Sequence, residues 1–229
     1  MNDLVIARYK EDISWIDQHN LSDKFNIVVY NKFYDEPITL PNAAGREAHT
    51  YLWHIVSNYD TLADRTVFCQ GEPFEHSPNF LDLISKVHSA DKLDYFPMAQ
   101  ARPGDFKWQP DGLIPPVGDG TLHCNILGEP DHPSLDMEEQ FFNIFGHDAV
   151  VPNPIVFFPG AVFSCSKETV HKRPVEFYKK CYNLSLNSDW KDRLVHATVT
   201  PNGNICCAYF FERFWSYIFN YHKIDYVDK

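Results

Sequence analysis

The chain has 229 residues, 44% of them hydrophobic and 15% aromatic, and a formal net charge of -11. That apolar content suits one large α/β domain and excludes a disordered chain. The acidic balance excludes general nucleic-acid binding, which needs a positive surface, but leaves room for a small phosphorylated ligand held by a few arginines.

Leu4-Val5-Ile6-Ala7 is a compact apolar run without alternation, the pattern of a parallel strand covered on both faces. Arg8-Tyr9-Lys10-Glu11-Asp12 follows, and Ile13, Trp15 and Ile16 start a short helix. A strand that ends in a polar loop at a helix start is a place to hold an anion. Arg8 is placed to meet a phosphate, and Glu11 or Asp12 to accept from a ribose or a base; Asp12 equally suits a helix cap. Asn26 to Lys32 reads as a second strand, and Pro37 to Pro41 as an extended connection, with Asn42 as a cap for the next helix.

In that helix Ala48, Leu52, Ile55, Val56 and Tyr59 recur at the spacing of a buried face. Arg46 and Glu47 stand in its first turn, where core packing asks for no charged pair. Thr66-Val67-Phe68-Cys69 is a buried strand that ends at once in Gln70-Gly71-Glu72-Pro73-Phe74-Glu75-His76. The β-α-β-α-β order of residues 1–70 predicts right-handed crossovers and a parallel sheet. Ligands bind at the carboxyl edge of such sheets, which makes the last stretch the expected floor of an active site.

A helix opens at Asn79 with Leu81, Ile84 and Val87 on one face. From residue 95 to 133 the chain turns rich in proline and glycine; with Tyr95, Phe96, Phe106 and Trp108 it reads as a loop-rich insert, a lid or a specificity element. Met137 to Phe145 is a brief amphipathic helix, and Ile155 to Ser166 two apolar runs split by Pro159-Gly160. Ser166 caps a helix over Thr169 to Cys181, interrupted at Arg173-Pro174. Asp189 to Asn204 is turn-like, and Ile205 to Phe219 is apolar nearly throughout except for Glu212 and Arg213.

The six cysteines form no CxxC pair and read as buried, reduced thiols. The chain starts on a strand, which leaves no room for a signal peptide, and no apolar run is long enough to span a bilayer. A soluble cytoplasmic protein is expected, with residues 1–229 forming a single domain.

Three segments carry chemistry. Glu72-Pro73-Phe74-Glu75-His76 brings two acids and an imidazole to a strand's end, as a divalent cation on a nucleotide diphosphate requires, or else is a solvated loop turned by Pro73. Glu212-Arg213 lies among five aromatics, so Glu212 is either a general base with a raised pKa or half of a structural ion pair with an arginine such as Arg46. Phe163-Ser164-Cys165-Ser166 lacks a nucleophile elbow and is explained by packing and capping. His49, His54, His123 and His171 read as core or surface groups, and Trp108 as a residue that could stack on a sugar.

The pieces VIARYKEDISW, GREAHTYLWHIVSNYDTLADRTVFCQGEPFEH, PGAVFSCSKETVHKRPVEFYKKC and FERFWSYIF resemble the DUF3431 family over most of the chain outside the insert. More distantly, their order resembles nucleotide-sugar glycosyltransferases of the GT-A type. That resemblance implies a Rossmann-like, mostly parallel sheet flanked by helices, a nucleotide-diphosphate sugar as donor (a UDP-sugar) and a glycan or carbohydrate acceptor. It implies donor contacts from Ala7, Arg8, Tyr9, Glu11, Asp12, Arg46, Gln70, Gly71 and Glu72. Catalytic roles fall to Glu212 and Glu75, acceptor contacts to Phe163, Ser164, Trp108 and Arg213, and a manganese or magnesium ion to Glu72, Glu75 and His76. The chain departs from the pattern in having no DxD motif, its place being taken by Glu72-x-x-Glu75-His76. The residues also admit a metal-dependent hydrolase of glycosidic or phosphate bonds built on Glu72, Glu75 and Glu212, or a non-catalytic carbohydrate- or protein-binding module.

Overall fold

A computed structural model describes residues 1–33, 38–40, 45–87, 94–99, 113–114, 121–124, 136–186 and 208–227. The chain is mixed α/β. Its central sheet holds β1 (Asn2–Arg8), β2 (Phe25–Asn31), β3 (Arg65–Gln70), β4 (Tyr95–Pro97) and β8 (Phe163–Ser166), in the order β2-β1-β3-β8-β4. β1 runs parallel to both β2 and β3, so the first three strands pair as expected. β8 runs antiparallel to β3 and to β4, so it alone opposes the common direction.

Residue alternation assigns the two faces. Leu4, Ile6, Val67 and Cys69 join one core with Trp15 of α1 (Trp15–Gln18) and Phe80 of α3 (Phe80–Lys86). Val5, Phe68, Phe163 and Cys165 join the larger core on the other face. That core is completed by α2 (Arg46–Asn58), α4 (Met137–Phe145), α6 (Val175–Leu186) and α7 (Ala208–Ile218). Leu4, Val5 and Ile6 are all 0% exposed, as a strand covered on both faces requires.

The stretch read as an insert supplies more order than expected. Besides β4 it contributes β5 (Leu113–Ile114) and β6 (Leu122–Cys124), which with β7 (Ile155–Phe157) form a second, antiparallel sheet. Strands of two or three residues have too little local pattern to declare themselves; their pairing partners create them. After β8, Ser166 accepts from the Thr169 amide and starts α5 (Lys167–His171), and α6 begins after Pro174, as the break at Arg173-Pro174 foretold. The expected helix cap Asn42, the turn-like stretch 189–204, Cys206 and Cys207 lie outside the described residues. Among the described residues no helix is long and apolar enough to cross a membrane.

Candidate functional site

The tips of β1 and β3 meet at the carboxyl edge of the parallel strands. Ala7 is paired with Gln70, and the Gly71 N–H donates to the Ala7 carbonyl at 2.9 Å. Beyond that bond the Trp15 indole N–H donates to the Gly71 carbonyl, also at 2.9 Å. Glu11 folds back over its own turn, accepting from the amides of Tyr9 (2.6 Å) and Lys10 (3.0 Å). Its carboxylate fits against Gly71 so closely that a Cβ there would lie 2.9 Å from Glu11 Oε2. Glycine at position 71 is therefore a packing requirement, and the seam between the two tips is filled by Glu11.

Arg8 lies on the β2 side of that seam. Its Nε donates to the Glu11 carbonyl (3.0 Å) and its Nη1 to Asn31 Oδ1 (3.4 Å). Tyr9 and Phe33 meet edge to face at 5.3 Å on the exposed rim, with Lys10 Nζ 4.1 Å from the Phe33 ring centre. Asp12 accepts from the Ser14 amide and hydroxyl, both at 2.9 Å, which holds its pKa below the ordinary carboxylate value. These bonds make a local turn ahead of α1, whose N-cap is Ser14 rather than Asp12.

A second group of side chains collects around the first turn of α2. Arg46 begins the helix with φ 45, an uncommon conformation for a residue with a side chain. Burial raises the pKa of Glu47; Arg46 works against that shift, Glu212 adds to it, and Lys32 opposes it more weakly. Glu212, on α7, accepts the Gly160 N–H at Oε1 (2.5 Å) and the Arg213 guanidinium at Oε2 (2.6 Å). Gly160 belongs to the turn 159–161 between β7 and β8, where Gly160 and Ala161 have φ 82 and φ 44. The Tyr51 hydroxyl donates to the Ala161 carbonyl (3.2 Å), so α2 and α7 grip the same turn. On its outer side, a Cβ at Gly160 would come within 2.7 Å of His76 Cγ, which joins the β3 tip to the Glu212 turn.

Several sequence expectations are corrected here. Phe163 is 1% exposed and Ser164 0%, with Ser164 Oγ accepting from Arg65 at 3.1 Å; neither offers an acceptor-binding surface. Arg213 is 6% exposed, donates to the Tyr209 carbonyl (2.9 Å) and covers the Phe157 ring at 4.8 Å, so it too is internal. Glu212 is in an ion pair with an arginine, as one of its readings held, and that arginine is Arg213. Glu72, Glu75 and His76 are exposed on the turn after β3, and Gln70 is partly buried. Among the described residues no three His, Cys, Asp or Glu side chains are grouped to hold a metal. Trp108 lies outside the described residues.

The sequence reading missed Lys32, His49, Tyr182 and Gly160 and gave Glu47 no role. Lys32 follows β2 as Tyr9 follows β1, and the Arg46-Glu47 pair stood out from its helix; those were the available signals. Arranged in this way, cations at the sheet edge can bind an anion, and paired carboxyls beside them can move a proton. Neither the curated proteins nor the solved structures contain a significant match to the chain. Over residues 4–229 the sequence matches the family described as "Protein of unknown function (DUF3431)", and the chain belongs to that family.

Proposed function

We propose that the protein is a glycosyltransferase of GT-A-like architecture, moving a sugar from a nucleotide-diphosphate sugar, a UDP-sugar, to a glycan or carbohydrate acceptor. The observation that carries this reading is the meeting of the β1 and β3 tips at the carboxyl edge of the parallel strands, with Arg8 beside the seam. Arg8 and Arg46 would stabilise the leaving diphosphate, since charge developing on phosphate oxygens is best met by fixed guanidinium donors. A carboxylate has about four acceptor positions, and Gly160 and Arg213 use two of those on Glu212. Glu212 therefore remains able to take the proton of the acceptor hydroxyl as that oxygen bonds to the anomeric carbon and the sugar–diphosphate bond breaks. A divalent cation arriving with the donor would be held by Glu72 or Glu75 and by phosphate oxygens, and would neutralise leaving-group charge.

The test is incubation with a panel of nucleotide sugars, with and without manganese. Slow donor hydrolysis is expected for a UDP-sugar, and Glu212→Gln lowers it by roughly 10²–10⁴-fold with donor affinity unchanged. Absence of both binding and turnover for every donor overturns the reading. One observation favours a second reading, a hydrolase: the Glu212 carboxylate is near enough to Glu47 to help raise its pKa, and glycoside hydrolysis uses two neighbouring carboxyls. Turnover of an aryl glycoside without any nucleotide is its mark.

A further inference from the structure

The turn that follows β1 aims two consecutive backbone N–H groups at one point. Tyr9 and Lys10 both donate to Oε2 of Glu11, at 2.6 and 3.0 Å. Adjacent main-chain amides that converge on a single oxygen make a cradle for an anion, because their partial positive charges add there. In this protein the anion is supplied by the chain itself. Both bonds are exposed, so a competing anion can reach the amides from solvent.

The carboxylate also stands in the seam between the β1 and β3 tips. A Cβ at Gly71 would lie 2.8 Å from Glu11 Cβ and 2.9 Å from its Oε2. The walls of the seam are pinned, by the Gly71 N–H on the Ala7 carbonyl and by the Trp15 indole N–H on the Gly71 carbonyl, each at 2.9 Å. The Glu11 backbone is tied as well, since Arg8 Nε donates to its carbonyl at 3.0 Å. What can leave is the Glu11 side chain, which is only partly buried and turns about its own single bonds. A phosphate brought to this edge cannot share the cradle with an ionised carboxylate: like charges repel, and the two amides already converge on one oxygen.

We propose that the Tyr9 and Lys10 amides are a binding site for a phosphate oxygen of the ligand, and that Glu11 is an internal competitor which that phosphate displaces. The proposal rests on the nucleotide-diphosphate reading above. It sets the phosphate beside Arg8, whose Nε bonds the same turn.

Calorimetric titration of the full chain with inorganic pyrophosphate, UDP and uridine tests it. Glu11→Ala empties the cradle, and Glu11→Gln keeps the shape but not the charge. Each tightens pyrophosphate and UDP by about tenfold or more, the scale of one hydrogen bond to a charged group, and leaves uridine unchanged. A Glu11 that only staples its turn would lower the melting temperature on removal without moving the ratio of UDP to uridine affinity. A Glu11 that accepts from a ribose or a base would, on removal, weaken UDP and uridine together. Either result overturns the proposal. Should Glu11→Ala fail to fold, Glu11→Gln and amide NMR of the wild-type protein carry the test, with saturating UDP expected to shift the Tyr9 and Lys10 N–H resonances. UDP that binds and leaves those two resonances in place overturns the proposal and leaves the donor reading standing. If neither the wild-type protein nor a variant binds pyrophosphate or UDP, the donor reading falls and this proposal with it.

Discussion

Gly160 is the point where backbone conformation and two side chains compete for the same space. Its φ of 82 suits glycine, its N–H is spent on Glu212, and the volume of a β-carbon is already filled by His76. Gly160→Ala therefore carries both backbone strain and a collision, and is expected to cost about 1–3 kcal/mol, read as a fall in the urea midpoint. Adding His76→Ala should recover little of it, because the atom nearest the added methyl is the His76 Cβ, which alanine keeps, and the left-handed backbone remains. At this scale the sequence was informative where a residue's meaning is local. Gly71 at a strand's end and Glu212 among aromatics could be singled out from their neighbours. His49 could not be, because its meaning comes from Tyr182, 133 residues away.

Among the elements, α5 shows how much a single hydroxyl decides. Ser166 ends β8 in an extended conformation, and its Oγ accepts the Thr169 amide (3.1 Å) and donates to Thr169 Oγ1 (3.0 Å). Strand and helix thus exchange within one residue. Ser166→Ala is expected to lower stability by about 1 kcal/mol, with the midpoint of urea unfolding shifted and its slope unchanged. Elements of this kind were legible: the Ser166 cap, the restart after Pro174 and the span of α4 each follow from caps, breakers and a 3.6-residue period. The direction of β8 was not. Four buried residues look alike whichever way the chain runs, and only pairing with β3 and β4 distinguishes them. The strands β4, β5 and β6 were hidden for a related reason, being two or three residues long among prolines and glycines.

For the whole molecule, the two buried histidines of α2 set a pH dependence. Burial lowers His49 to about 3 and His54 to about 4, against 6.5 for the free side chain. Between those values the unfolded chain binds more protons than the folded one. Their contribution to stability is therefore full above pH 6.5 and is lost as pH falls toward 4. Glu47 acts in the opposite sense: its raised folded value means that stability declines as pH rises through 4.5 and beyond. With two histidines against one glutamate, the urea midpoint is expected to drop between about pH 7 and about pH 5, and a His49→Gln/His54→Gln double variant to flatten that slope.

The place of β8 in the sheet has a consequence for how the protein is made. Arg65 to Phe68 pair with Phe163 to Ser166, so the border of β3 stays an open ladder of amides and carbonyls until the ribosome has passed residue 166. The strand that bears the candidate floor waits, half-finished, for a partner from the far part of the chain. Newly synthesised protein is thus most prone to stick to itself over that interval.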